Sequence, residues 1–253
     1  MQTSRQWIGY FRQNLQIKRI DWSISPQLTE TERKAIVQSV QAWQLGETSD
    51  GAHLLAATKK YADTIGDDFY CEAVQLFIKE EQKHGYNLGR YLDLINEKRI
   101  AHDWGDTLFR KIRYFNTSME LWTIAVITVE STAQIFYQSL KDATKCILLK
   151  QVCTDILIDE AHHIDFQLQR LAIIFSGKTV MQKIVSFQFY RVFYFSTILV
   201  VWMAHRKLFK AGSNNLAKYL GKMNLKFKKT IQRLYLDKNF AGAVPEITIT
   251  HPV

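Results

Sequence analysis

The same two metal-binding side chains occur together twice in this sequence. The segment EEQKHGYNLG (80–89) contains Glu81 and His84, and the segment DEAHHIDF (159–166) contains Glu160 and His163. Residues three positions apart on an α-helix project from the same side, about one turn from each other. Each carboxylate and its imidazole could therefore bind one metal ion or two neighbouring ions.

Two more carboxylates stand where folding would bring them level with these pairs. Glu47 precedes Glu81 by 34 residues, and the midpoint lies beside a predicted turn at 65–68. Glu130 precedes Glu160 by 30 residues, with the midpoint near a weaker turn signal at 142–144. If each segment folds into an antiparallel helix pair, the two carboxylates of that pair lie at the same height.

These side chains fall on the apolar faces of the predicted helices, where ionised groups are costly without a partner. Bound metal ions would supply that partner. The sequence therefore predicts a site for two metal ions with six ligands: Glu47, Glu81, His84, Glu130, Glu160 and His163. Carboxylates and imidazoles without thiolate favour iron or manganese. We expect two iron ions, with manganese or a mixed Mn/Fe pair as the alternative.

Neighbouring residues leave some roles open. Glu47 stands in GETSDG, whose poor helix formers also suit a capping or loop role. His162 and Asp165 flank the second motif and are alternative ligands, although they lie off the apolar face. Glu80 and Asp159 directly precede the motif glutamates. They could hydrogen-bond the two imidazoles and fix their tautomers, or they could lie in solvent.

The elements that must position these residues are predicted to be helices. No proline occurs between Gln27 and Val244, so helices can run through that interval. A capping box at Thr29 and Glu32 predicts the start of the first of them. The predicted helices cover residues 29–63 with a bend near Gly46 and Gly51, then 69–96, 104–112, 118–141, 144–175, 179–210 and 215–237, before a loose tail at 238–253. We therefore predict an all-α fold in a single domain, 1–253, with a four-helix bundle core at about 30–175 and additional C-terminal helices at about 179–237.

The positive charge is concentrated near the C-terminus. The chain of 253 residues has a formal net charge of +9, and residues 206–238 contain ten basic residues and one acid. This segment suits an acidic protein or an anionic membrane surface. Its apolar residues recur at helical spacing, which argues against a nucleic-acid-binding tail.

Two further features bear on location. Residues 192–204 are apolar but fall short of the ~20 needed to span a bilayer, so we predict bundle core, with peripheral membrane contact as the alternative. Three cysteines without CxxC spacing fit a reducing compartment, and MQTSRQWIGYFRQN lacks the apolar stretch of a secretory signal. We expect a cytoplasmic location.

The motifs also resemble those of a known family. EEQKHGYNLGRYL is similar to the EENRHG segment and following helix of soluble plant-type acyl-carrier-protein desaturases, and DEAHHI is similar to their DEKRHE. The upstream Glu47 and Glu130 fall at the remaining ligand positions of that family. The resemblance covers about residues 40–175 and is typical of the ferritin-like di-iron superfamily, whereas the C-terminal third has no recognisable match.

The resemblance implies an activity and partners. In that family a di-iron centre activates dioxygen, with electrons from a ferredoxin, and removes hydrogens from an acyl chain held by acyl carrier protein. We accordingly expect a dioxygen-dependent oxidoreductase of desaturase or hydroxylase type, acting on an apolar, carrier-bound acyl substrate as a homodimer. The resemblance also implies that Asp159 supports His84. Phe136, Phe166 and Phe187 could line a substrate channel or simply pack in the core.

Two other functions fit the same residues. A ferritin-like protein could oxidise or handle iron without an organic substrate, although two long helices beyond residue 175 exceed what a minimal storage bundle needs. A membrane-surface di-iron hydroxylase of a lipid or quinone would use the 192–204 helix together with the basic segment.

Overall fold

The protein is a bundle of α-helices. The computed structural model describes residues 2–114 and 118–236, and within these ranges it contains helices only, as the sequence predicts. The helices are α1 (Ser4–Asn14), α2 (Glu30–Glu47), α3 (Ala52–Ile65), α4 (Tyr70–Leu94), α5 (Trp104–Tyr114), α6 (Met119–Asp142), α7 (Ile147–Ser176), α8 (Val180–Ala211) and α9 (Leu216–Leu236). The predicted tail at 238–253 lies outside the described residues.

Four of these helices form the central bundle. Helix α2 packs along α4, α6 packs along α7, and α4 contacts α7, so the two pairs join into one four-helix core. Its interior is filled by fully buried apolar side chains such as Leu88, Ile127, Leu149 and Ile156. Burial of this apolar surface is the main term that holds the helices together.

The predicted helix over 29–63 is two helices, which corrects the expectation of a single bent one. Helix α2 ends at Glu47, and α3 begins after Gly51. Gly51 has φ of +68°, a left-handed conformation that glycine adopts without strain, and Asp50 accepts a hydrogen bond from the backbone N–H of Ala52. This break leaves Glu47 as the last residue of its helix.

Helix α1 was missing from the sequence predictions. Thr3 and Gln6 form a capping box at its start, and Trp7, Ile8 and Phe11 are buried. These side chains belong to a second apolar cluster on α4, beside the main core. The threonine-to-glutamine spacing and the apolar period were visible in the sequence and could have revealed this helix.

Helices α8 and α9 cover one side of the bundle. Helix α8 packs against α2, α5, α6 and α9. It is long and apolar enough to cross a bilayer by length and composition, with a third of its most apolar window buried. The prediction of bundle core for 192–204 therefore holds for one face only: Tyr194, Ile198 and Val201 are buried, whereas Val192 and Leu199 are exposed.

Candidate metal centre

The structure brings all six predicted ligands together in two overlapping groups. One group contains Glu47, Glu81, His84 and Glu160, and the other contains Glu81, Glu130, Glu160 and His163. In each group, one ligand atom from every residue lies within 4.8 Å of the others. Glu81 and Glu160 belong to both groups, as carboxylates that bridge two ions would. The groups could therefore hold a pair of adjacent metal ions.

The atoms that face the centre of the cluster lack hydrogen-bond partners among the described residues. They include Nδ1 of His84 and of His163, both carboxylate oxygens of Glu160 and Oε1 of Glu81. Oε1 of Glu81 lies 2.7 Å from Nδ1 of His163, but the two groups are not oriented as a hydrogen bond. Buried polar atoms are rarely left unsatisfied, so this donor set fits bound cations.

The Nε2 atom of each imidazole lies within hydrogen-bond distance of a carboxylate. Oδ2 of Asp159 lies 3.1 Å from Nε2 of His84, which is the contact that the desaturase resemblance implies. Oε2 of Glu80 lies 2.9 Å from Nε2 of His163. A carboxylate at Nε2 favours the tautomer that keeps its proton there and leaves Nδ1 free to bind a metal ion. Both carboxylates come from the helix opposite the histidine that they contact.

Three residues outside the predicted set complete this support. Nδ2 of Asn14 donates to Glu80 at 2.6 Å and to Asp159 at 2.8 Å. Arg19 and Lys83 form ion pairs with Asp159 at 3.2 and 2.7 Å. The C-terminal end of α1 thus links the two carboxylates that hold the histidines. No motif in the sequence signals this role, because Asn14 reaches the site only when α1 packs on α4.

Glu47 is fixed by two aromatic side chains. Nε1 of Trp43 and Oη of Tyr137 each donate to Oε1 of Glu47 at 2.8 Å. Its other oxygen is left to the cluster. Gly85 lets α2 approach, since a Cβ there would lie 3.2 Å from the Glu47 carbonyl carbon. The glycine after His84 therefore has a packing role that the sequence did not indicate.

Other candidates from the sequence lie elsewhere. The ring of His162 contacts that of Tyr10 at a centroid distance of 4.5 Å, and Asp165 pairs with Arg233; neither belongs to the two ligand groups. Phe136 and Phe166 are buried in the apolar clusters. Phe187 packs against the first of these clusters, and none of the three lines the cavity described next, so core packing rather than a channel is their role.

A cavity of about 480 Å³ adjoins the ligand cluster. Three ligand carboxylates line it: Glu47, Glu81 and Glu130. Its remaining wall is mainly apolar, with residues from α2, α3, α4, α5, α6 and α8 that include Phe77, Trp122, Val129, Phe193 and Val200. The exposed residues His53 and Arg110 also line it, so the cavity reaches the surface. Its volume is in the range of sites for small organic ligands.

Crowding of buried acids dominates the electrostatics of the cluster. Burial and the neighbouring charges of Glu81 and Glu160 raise the pKa of both Glu47 and Glu130 well above the usual range. Burial alone would also raise the pKa of Glu81, but His163, His84 and Glu47 together outweigh it and lower that pKa to about 2. Despite burial, the surrounding carboxylates raise the pKa of both histidines. Without metal, the cluster therefore retains protons at neutral pH.

These shifts predict that metal binding releases protons. Metal ligands must be deprotonated, and the raised pKa values of Glu47, Glu130, His84 and His163 mean that the metal-free protein still carries protons on some of them. We expect metal affinity to rise with pH and titration calorimetry in buffers of different ionisation enthalpy to show net proton release. Glu130→Gln should release fewer protons; equal release in both proteins would contradict the electrostatic picture.

The fold of this chain is similar to that of solved structures. Solved structures of R2-like ligand-binding oxidases align with nearly the whole chain. A variant with an aerobically reconstituted Mn/Fe cofactor is 17% identical, covers 96% of this chain and 94% of its own, and gives a TM-score of 0.64. A variant reconstituted anaerobically gives 0.63 at 16% identity, with 92% and 93% covered. The chain has the R2-like, ferritin-like fold.

The likeness lies in structure rather than in sequence. No family model matches the chain, and no curated protein matches it by sequence. At 15–17% identity, the R2-like structures establish the fold alone. They do not test the resemblance to acyl-carrier-protein desaturases, which stays a prediction.

Proposed function

We propose that this protein is a dioxygen-dependent oxidase with a non-haem pair of metal ions, either two irons or one manganese and one iron. The observation that carries the proposal is the pair of ligand groups sharing Glu81 and Glu160, next to an apolar cavity onto which three of the ligand carboxylates open. The Mn/Fe cofactor in the names of the R2-like structures supports the same choice of metals.

Each of the six residues would have a definite role in holding the metal pair. Glu47 and His84 would hold one ion, Glu130 and His163 the other, and Glu81 and Glu160 would bridge them. When bound, the metal pair supplies the electrons that reduce dioxygen. Four carboxylates can balance the charge of two divalent ions, and Asp159 and Glu80 keep the imidazoles oriented during turnover.

The cavity suggests the class of substrate. Its apolar wall would exclude water and position an acyl chain or a similar hydrocarbon against the metal pair. Desaturation or hydroxylation of such a chain is the finer form of the proposal. An iron-storing bundle, one of the two other candidates from the sequence, has no need of an apolar cavity open to the metal ligands.

Partners follow from the basic C-terminal segment. Exposed lysines on α9, among them Lys218, Lys222 and Lys228, would attract an acidic electron donor such as a ferredoxin, or acyl carrier protein. We propose these partners and a homodimer as working hypotheses, which a salt-dependent binding measurement and a solution mass would test.

Reconstitution tests the proposed function. Metal-free protein would receive Fe(II), Mn(II) or both without oxygen, followed by air, and metal content, oxygen consumption and near-ultraviolet absorption would be recorded. We expect two ions per chain, then oxidation of a saturated acyl-carrier-protein thioester in the presence of reduced ferredoxin. Iron uptake that keeps rising far above two per chain without product would favour iron handling. Failure to bind metal in stoichiometric amounts would refute both functions.

Filling the cavity should separate substrate binding from metal binding. Val129 lines the cavity on α6, and a phenylalanine there would occupy space that the substrate needs. We expect Val129→Phe to lower turnover of the acyl substrate about tenfold or more, because small displacements of a reacting group are costly. Metal content should stay at two per chain. Gln138→Phe, an exposed site on the same helix, is the matched control; equal turnover in both variants would place the substrate elsewhere.

A further inference from the structure

Helix α8 has an exposed apolar stripe on the side opposite its buried face. Met181, Val185, Phe189, Val192, Leu199 and Met203 are all exposed, and their spacing keeps them on one side of the helix. The stripe extends over about 33 Å at the usual rise per residue. A helix that is apolar on all sides is normally enclosed by protein or in contact with lipid. Contiguous exposed apolar surface of this kind marks an interaction site.

The stripe lies beside the wall of the cavity. At three places on α8, one residue belongs to the stripe and the next residue lines the cavity. These pairs of consecutive residues are Val192 and Phe193, Leu199 and Val200, and Met203 and Ala204. In each pair, the first residue is exposed and the second lines the cavity. Consecutive residues of a helix point about 100° apart, so the cavity and the stripe occupy adjoining sides of α8.

Helix α5 continues this surface at the mouth of the cavity. It packs against α8 and contributes Phe109 and the exposed Arg110 to the cavity lining. Its Trp104 and Leu108 are exposed apolar side chains. Arg110 pairs with Asp106, so the exposed apolar side chains of α5, and not its charges, would favour contact of this side with lipid.

Charge decides which partner suits the stripe. Helices α8 and α9 contain eleven basic residues and no acid, and the stripe ends in the exposed Arg206, Lys207 and Lys210. A second copy of this chain docking through the same face would bring like charges together. An anionic bilayer offers the opposite charge to the basic end and an apolar phase to the stripe.

We propose that the α8 stripe docks on the surface of an anionic lipid bilayer, with α8 lying along the membrane and the cavity mouth turned to the lipid. The stripe would enter the boundary between head groups and acyl chains, while the basic end contacts lipid phosphates. The consequence for supply, which rests on the proposed oxidase function but not on a carrier-bound substrate, is that an apolar substrate dissolved in the bilayer enters the cavity directly.

Vesicle flotation tests the docking. Full-length protein would be mixed with vesicles of pure phosphatidylcholine, or with vesicles that also contain phosphatidylglycerol, at low and high salt. We expect binding to the anionic vesicles that weakens with salt. Lys207→Glu/Lys210→Glu should weaken it by at least about fivefold per residue, since each basic group near the surface contributes roughly that factor. Val192→Glu/Met203→Glu should abolish it.

The control variant is Tyr86→Glu, because Tyr86 is 61% exposed on another helix, close to the 66% of Val192 and the 59% of Met203. Circular dichroism would show that each variant folds. Absence of flotation with anionic vesicles, or flotation unaffected by Val192→Glu/Met203→Glu, would overturn the proposal. A dimer that this double variant splits, without vesicle binding by the parent, would show that a second copy covers the stripe.

Docking and metal chemistry are tested separately. Flotation would be measured with both metal-free and metal-loaded protein, and we expect the same result because none of the proposed ligands lies on α8. If flotation succeeds while reconstitution yields no metal centre, the proposed function fails and the docking stands. If the metal pair forms but no preparation floats, the docking alone is wrong.

Discussion

Glu160→Ala should reduce the metal content from two ions per chain to one or none. Glu160 is fully buried, belongs to both ligand groups, and has two carboxylate oxygens without hydrogen-bond partners among the described residues. Glu81, the other carboxylate that belongs to both groups, is less enclosed, with its side chain 20% exposed toward the cavity. We expect the near-ultraviolet absorption of an oxidised metal pair to disappear with the second ion.

The effect of Glu160→Ala on the free energy of unfolding should depend on whether metal is bound. Each bound ion at 100 times its dissociation constant would stabilise the parent by about 2.7 kcal/mol, and the variant should lose at least one such increment. Without metal, Glu160→Ala removes a buried acid from a cluster of acids, so its melting temperature should stay close to that of the parent.

Asp165→Ala is the matched control, an acid on the same helix that pairs with Arg233 at the surface. It should bind two ions as the parent does. The ligand assignment would be wrong if Glu160→Ala retained two ions at parental affinity, or if Asp165→Ala or His162→Ala lost them.

Asp159→Asn should weaken metal binding about 10- to 100-fold, the usual cost of removing a carboxylate that orients a histidine ligand. Four donors surround this carboxylate: Asn14, Arg19, Lys83 and His84. Burial would raise the pKa of Asp159, but His84 and Lys83 keep that pKa below its usual range. An asparagine has one acceptor oxygen where the aspartate has two, so its NH2 group must face at least one of these donors. The neutral amide would also hold the His84 imidazole less firmly than a carboxylate does.

Competition with a chelator of known affinity would measure this loss. Asp155→Asn is the control, because Asp155 is equally enclosed and pairs with Arg19 and Lys83 but has no contact with either histidine in the described structure. We expect Asp155→Asn to bind metal nearly as well as the parent. If both variants lost affinity equally, the effect would come from the ion-pair network and not from the orientation of His84.

The helical fold and the composition of the ligand cluster were accessible from the sequence. Within one helix, the period of 3.6 residues determines which side chains share a face, so Glu81 with His84, and Glu160 with His163, could be paired without a structure. The spacing from Glu47 to Glu81 correctly indicated that they meet, even though the segment between them breaks at Gly51.

Features that depend on contacts between distant segments were not accessible. Asn14 joins Glu80 and Asp159 across 66 and 145 residues, and only the docking of α1 on α4 brings it there. The cavity is likewise lined by six helices of the described chain, so aromatic content alone could not separate Phe193, which lines it, from Phe136, which packs in the core.

The sequence by itself determined an all-helical chain and the six side chains that meet near its centre, because helical periodicity and the cost of burying acids act locally. Only the tertiary structure decided which carboxylate supports which histidine, where the cavity opens, and that α8 leaves one apolar face uncovered. The physical reason is that an apolar side chain looks the same in the sequence whether a neighbouring helix covers it or not. Packing between distant segments makes that difference.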